Sequence, residues 1–354
     1  MRDQPLWESW PRATGGHVPD GECKAGPALV RQGVEGLGSA NRGNSGAAID
    51  IGAARSLVLE RGTPRERAEV LWVLDRAQPD AAVVTDFLAG QRPDGGYGGI
   101  GATITALVHY DALGLPGSCP AVQAASVVPG GPAARDPVAA LDRALAYLIS
   151  RQSPDGGWDE RPEDVGPTPV PWETPGDPRA RMYLTAACCL ELTRPAAMRL
   201  DADVSPPLTR IAEAARATEA ARATEAARAA LDRGLEFLLD HRHANGRFVG
   251  FWHTTWLAAS ALAAALGPDH PAVGPALDAI GAHAPDVWEA SQLAWMLQSF
   301  RRGGIPADRP PIPGLLAWLS QSQRPDGSWG SEDGAQFVVF ATVESLRTLR
   351  SYGR

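Results

Sequence analysis

Apolar residues gather along the chain into runs at helical spacing, and the polar stretches that separate these runs repeat one another. One phrase returns with variations. It reads Phe87-Leu-Ala-Gly-Gln91-Arg-Pro-Asp-Gly-Gly-Tyr97, then Tyr147-Leu-Ile-Ser-Arg-Gln152-Ser-Pro-Asp-Gly-Gly-Trp158. Later come Phe237-Leu-Leu-Asp-His-Arg242-His-Ala-Asn-Gly-Arg-Phe248 and Trp318-Leu-Ser-Gln-Ser-Gln323-Arg-Pro-Asp-Gly-Ser-Trp329. Each copy holds an apolar helical run, a Pro-Asp-Gly or Ala-Asn-Gly turn and an aromatic, followed by a second run rich in Ala, Thr and Leu. Asp-Gly and Asn-Gly supply the positive φ that ends one helix and reverses the chain. The glutamine closing the first helix has donors and an acceptor with which to hold the exposed amides that open the second.

Each unit therefore predicts a helical hairpin, which cannot bury its apolar face alone and must stack on its neighbours. Inner helices are expected to begin near Arg65, Thr103, Met182, His253, Val287 and Phe337. Outer helices are expected near 47–60, 79–90, 136–151, 225–241, 273–282 and 312–322. The predicted fold is all-α, an (α/α)6 barrel of six helical hairpins in a single domain over residues 46–354. Residues 1–45 are expected to form an irregular, Gly-rich N-terminal arm. From Glu213 the chain repeats Glu-Ala-Ala-Arg-Ala-Thr, winding charge around a helix instead of along one face. This low-complexity helical insert, near 208–230, reads as a solvated extension.

The repeated phrase resembles the QW motif of squalene-hopene and oxidosqualene cyclases. Arg143-Ala144, Tyr147-Leu148, Gln152 and Gly156-x-Trp158 fit that pattern, and Trp318-Leu319, Gln323 and Gly327-x-Trp329 match its second half. The same repeat superfamily includes prenyltransferase β-subunits. Pro285-Asp286-Val287-Trp288-Glu289-Ala290-Ser291 looks like the Pro-Asp-x-Asp-Asp-Thr-Ala segment of class II terpene cyclases, whose middle Asp protonates an alkene or epoxide. Here Asp286 keeps the first acid, Glu289 stands at the third, and Trp288 takes the middle place. The resemblance thus leaves the acid to Asp286 or Glu289. Trp252-His253-Thr254-Thr255-Trp256-Leu257 is similar to the segment carrying the zinc-ligand histidine of prenyltransferase β-subunits. Their Asp-x-Cys partner is answered only by Asp286-Val287-Trp288, without the thiolate, so no metal site is expected.

A formal net charge of -8 argues against a nucleic-acid partner, because no counterion release would drive binding. The four cysteines show no CxxC or Cys/His spacing, and no apolar run is long enough to span a bilayer. A cytoplasmic protein is expected, with peripheral membrane contact left open.

Five of the eleven tryptophans, Trp72, Trp252, Trp256, Trp288 and Trp295, fall on expected inner helices or their leading edges. They read either as filling for a wide barrel or as an apolar cage for a carbocation, each π-face worth on the order of 0.5–2 kcal/mol. The spacings Trp252/Trp256 and Trp288/Trp295 would put each pair on one helix face. Asp286 and Glu289 read as a proton-sharing general acid or as a capping box. His253 reads as a catalytic group or a satisfied pocket histidine, and Glu344 as pocket lining or a solvated acid. Arg181, with Arg179, could neutralise a diphosphate or stand exposed. The functional expectation is a terpene cyclase of isomerase or lyase type, acting on an isoprenoid by acid-initiated carbocation chemistry. Asp286, Glu289 and His253 are its catalytic candidates, and Trp252, Trp256, Trp288, Trp295, Glu344 and Arg181 its substrate contacts. No cofactor is expected, with magnesium entering only beside a diphosphate-bearing substrate. The alternatives are a zinc-independent prenyltransferase and a non-catalytic isoprenoid-binding or protein-interaction barrel.

Overall fold

The repeated turns reverse the chain at glycines in the left-handed region: Gly95, Gly156, Gly246 and Gly327 have φ of 93°, 92°, 88° and 83°. The structure is a computed structural model describing residues 49–115, 136–194, 210–283 and 288–354, with side chains from 224 onward in the third stretch. The expected N-terminal arm, residues 1–45, lies outside the described residues.

The described residues form twelve α-helices, beginning with α1 (Ile51–Arg61), α2 (Pro64–Asp75), α3 (Ala81–Ala89), α4 (Ile100–Ala112), α5 (Pro137–Ser150) and α6 (Pro178–Leu192). After these come α7 (Arg210–Asp240), α8 (Trp252–Leu266), α9 (Val273–Ala282), α10 (Ala290–Arg302), α11 (Ile312–Gln321) and α12 (Val338–Ser351). Among the described residues the only β-pairing is two isolated bridges, Gln152 with Trp158 and Arg242 with Phe248. The Glu-Ala-Ala-Arg-Ala-Thr run lies within α7, continuous with the outer helix of its hairpin.

Local chemistry starts the helices where they start. Asp50, Asp80, Asp136 and Asp177 each accept an amide of the first turn at 2.7–2.9 Å. Thr63 and Glu66 form a reciprocal capping box, with Pro64 at the first helical position.

The even-numbered helices are the inner ones. Each packs on the next, α2 through α4, α6, α8 and α10 to α12, and α12 packs back on α2, closing the ring. The odd-numbered helices lie outside, as α1 does against α2 and α12 and α9 against α8. The fold is the expected (α/α)6 barrel.

One expectation about the repeat needs correction. The glutamine does not hold the amides that open the inner helix. Gln152 Nε2 instead donates to the carbonyls of Gly156 (2.9 Å) and Ala230 (2.8 Å), while its Oε1 accepts from Arg233 (2.6 Å). Gln91 does the same with Gly95, Ala140 and Arg143. Each glutamine thus pins its own turn to the following outer helix. The inner helix is tied by a threonine that the sequence reading passed over. The amides of Tyr97, Trp158, Phe248 and Trp329 donate to the hydroxyls of Thr103, Thr185, Thr255 and Thr342 at 3.0–3.2 Å.

Candidate active site

The C-terminal ends of the inner helices are closed by charge. Arg194 pairs with Asp111 and Glu191, and Arg302 of α10 reaches Glu191 of α6 at 2.8 Å. Burial alone would raise the Glu191 carboxyl, but Arg194 and Arg302 outweigh it and hold the group ionised. The helices α2, α4 and α12 also bring polar groups together. Glu69 meets His109 at 2.8 Å, and Arg347 of α12 crosses to the Val108 carbonyl of α4.

The wall made by α6, α8 and α10 is aromatic. His253, second residue of α8, lies under four rings: Trp256 at 4.6 Å between centroids, Trp295 at 5.2 Å, Trp172 at 5.9 Å and Tyr183 at 6.3 Å. Trp256 also meets Trp288 at 5.6 Å and Trp295 at 5.9 Å, mostly edge to face. Trp252 joins through Trp288 (5.8 Å) and His283 (4.5 Å), and the Arg247 guanidinium sits 4.1 Å over its ring. Trp256 is fully buried and Trp288 nearly so, yet neither indole N–H has a partner. His253 Nδ1 is likewise buried without a partner. Burial pushes the imidazole down to about 4, so it is neutral at ordinary pH.

The structure therefore brings together His253, Trp252, Trp256, Trp288 and Trp295. It corrects the reason given for one pair: Trp288 precedes α10, so it shares no helix face with Trp295, and the two meet through Trp256. Trp72 stands apart at the end of α2, beneath Arg76 and against Gly114.

Other candidates are placed elsewhere. Glu289 is exposed and is itself the N-cap of α10, its amide donating to Gln292 Oε1 at 3.1 Å. The capping box thus falls three residues later than Asp286 and Glu289 would have formed it. Asp286 lies outside the described residues. Arg181 turns away from the aromatic wall into a surface groove of about 600 Å³, pairing with Asp155 at 2.5 Å and covering the Phe237 ring. Glu344 is buried; its Oε2 accepts from Arg347 (2.6 Å) and from Gln298 (2.9 Å), three residues past Trp295 along α10, while its Oε1 is buried without a partner.

Sequence reading missed Tyr183, His283, Trp172 and two carboxyls, Glu160 and Glu173, that lie against the start of α4. The last three lie in the Pro-rich connection before α6, where Pro171-Trp172-Glu173 forms a single 3-10 turn. An aromatic beside an acid between prolines was the available signal. Among the described residues no group of three His, Cys, Asp or Glu is disposed to hold a metal ion, and no helix is long and apolar enough to cross a membrane.

No protein-family model matches the sequence. Over 102 residues the chain is 38% identical to a drimenyl diphosphate synthase of Streptomyces showdoensis, a match spanning 28% of this chain and 16% of that protein. Among solved structures, type II terpene cyclase MstE from Scytonema, in its apo form, is similar at 16% identity with a TM-score of 0.43, over 82% of this chain and 87% of that one. A variant of MstE in complex with geranylgeranyl dihydroxybenzoate is similar to the same degree, over 81% of this chain and 86% of its own.

Proposed function

We propose that this chain is a terpene cyclase-like enzyme that folds and cyclises a prenyl chain against the aromatic wall of α6, α8 and α10. The observation that carries the reading is the convergence on His253 of four rings from three separate parts of the chain, with Trp288 and Trp252 extending the surface. A carbocation formed on this wall meets π-faces and a neutral imidazole. His253 Nδ1 supplies the base: a neutral, unpartnered nitrogen can take the proton that the last cation must lose. The resemblance in the repeats and the local likeness to drimenyl diphosphate synthase support the same reading.

The test is incubation with a panel of prenyl diphosphates, squalene and polyprenylated aromatics, with magnesium included for the diphosphates, followed by mass spectrometry and NMR. A cyclised isomer is expected. A coupled product would instead make the protein a prenyltransferase, and saturable binding without turnover would make it a non-catalytic isoprenoid-binding barrel.

A further inference from the structure

Cyclisation begun by protonation needs a carboxylic acid at the aromatic wall. Trp288 stands where the resemblance would put that acid, Glu289 turns to solvent, and Asp286 lies outside the described residues. Two other carboxyls come from the connection before α6 and lie against the start of α4. Glu160 is 4% exposed; its Oε1 accepts from the Gly101 amide at 2.7 Å, in the first turn of α4, while Oε2 is buried without a partner. Glu173 follows Trp172, whose ring is 5.9 Å from His253, and its charge is felt by Tyr183 on α6.

The start of α4 is shaped around both groups. A Cβ on Gly99 would lie 2.6 Å from either Glu160 oxygen, and one on Gly101 would lie 2.1 Å from Glu173 Oε1. The two environments differ. Burial pushes the Glu160 carboxyl up, and the amide hydrogens it takes at the helix N-terminus offset that only in part. No donor reaches Glu173 among the described residues. Two neighbouring carboxyls resist ionising together, and Glu173, the one without a donor, is the member that keeps the proton. Independent signs of a ligand lie in the same wall, where Trp256 Nε1 and His253 Nδ1 are buried and unpartnered, Trp256 being 0% exposed.

We infer that the Glu173 carboxyl is the acid that protonates the substrate alkene, taking the part that Trp288 cannot play. The inference rests on the cyclase reading above. The O–H bond of Glu173 breaks, its proton goes to the CH carbon of the terminal (CH3)2C=CH alkene, and the π pair becomes the new C–H bond. A tertiary cation is left on the wall and Glu173 is left as carboxylate. Ring closure consumes further π pairs until the last cation loses a proton to His253 Nδ1. Return of that proton to Glu173 resets the site, so the reaction is a net isomerisation with no co-reactant. Burial first, and then the charge of Glu160, push Glu173 up to about 7. The other groups bearing on the pair are Arg151 and Asp164, which act on Glu160, together with Tyr183 and the neutral His253.

The experiment compares parent, Glu173→Gln and Glu173→Asp with the isoprenoid that the panel identifies, in H2O and D2O. Glu173→Gln should lower kcat by at least about 100-fold with KM within a few-fold, and Glu173→Asp should keep part of the activity. The parent's product should carry one deuterium at its initiating carbon. A cyclising parent whose Glu173→Gln variant stays within about threefold of it in kcat overturns the assignment and leaves the cyclase reading standing. A cyclised product without deuterium overturns it too, since ionisation would then begin elsewhere. Infrared difference spectra on glutamate-labelled protein test the acid without turnover. A protonated-carboxyl band present near neutral pH and lost in Glu173→Gln is expected. Its absence in the parent overturns the assignment, whereas its presence beside an inactive parent counts against the cyclase reading alone.

Discussion

Gln323 and Asp50, 273 residues apart, hold each other twice: Gln323 Nε2 donates to the Asp50 carbonyl at 3.0 Å, and the Asp50 amide donates to Gln323 Oε1 at 2.8 Å. This is the same clamp that Gln91 and Gln152 make to the next outer helix, except that the next outer helix is here α1. The Asp50 side chain caps α1 in turn through the Ala53 amide. The joint that binds consecutive hairpins therefore also closes the ring. Gln323→Ala removes both bonds and a third to the Gly327 carbonyl. We expect a loss of about 2 kcal/mol, measured by urea denaturation, with faster amide exchange confined first to α1. Uniform protection across α1 would refute the closing role.

The turn glycines interlock with the neighbouring hairpin as tightly as the glutamines do. A Cβ on Gly156 would lie 2.4 Å from the Arg233 carbonyl oxygen, at φ 92°, whereas Gly176 has φ 76° and nothing within 4 Å. Gly176→Ala should therefore cost only the backbone term, about 1 kcal/mol, and Gly156→Ala distinctly more, above about 2 kcal/mol. Equal melting temperatures for the two variants would show that the turn relaxes away from α7.

The hairpins are legible in the sequence because their punctuation is local: Asp-Gly fixes a positive φ, and aspartate, threonine and proline mark the helix starts. Which side chains meet inside the ring is set by closure, and no single hairpin encodes that. Trp288 and Trp295 look like neighbours on a helix, but the helix begins at Ala290 and their common contact is Trp256. Arg181, at the start of an inner helix, could as well face inward until Asp155 and Phe237 are seen beside it. Glu173 sits in a stretch without periodicity, where an acid next to a tryptophan looks solvated until it is seen half-buried against Gly101.

Trp295 touches Tyr183, His253 and Trp256, with ring centroids at 6.2, 5.2 and 5.9 Å. Trp295→Leu keeps an apolar surface and removes one π-face. If the wall stabilises a cation, kcat should fall roughly 2- to 30-fold, the range that 0.5–2 kcal/mol spans, with a changed proportion of early-terminated products. Trp295→Phe should recover most of the loss. Leucine and phenylalanine variants with the same product profile would reduce the ring to filling.

His253 ties the wall to acid stability. Its folded value of about 4 lies below the ordinary 6.5, so the unfolded chain takes up a proton that the folded chain refuses. Stability is unaffected above pH 6.5 and falls as pH drops from there toward 4, by up to about 3 kcal/mol. His253→Phe should remove that part of the pH dependence, seen as a shallower fall of melting temperature between pH 6.5 and 4. An unchanged slope would mean that the imidazole is hydrated in the folded protein.

Glu173 gives the opposite slope. Its folded value of about 7 lies above the ordinary 4.5, so here the folded state holds the proton more tightly. Below pH 4.5 the group is protonated in both states and contributes no difference. As pH rises from 4.5 to 7 the unfolded chain gains from ionising and the folded chain does not, so the native state loses up to about 3 kcal/mol. Glu173→Gln resembles the protonated acid at every pH. We expect it to match the parent's stability near pH 4 and to exceed it by about 2–3 kcal/mol at pH 8, in paired urea denaturations. Stabilisation with loss of turnover would mark a carboxyl kept at a cost to the fold for the sake of its proton. A constant difference between the variants across this range would instead mean that Glu173 titrates as an ordinary solvated acid, and neither the slope nor the acid role would survive.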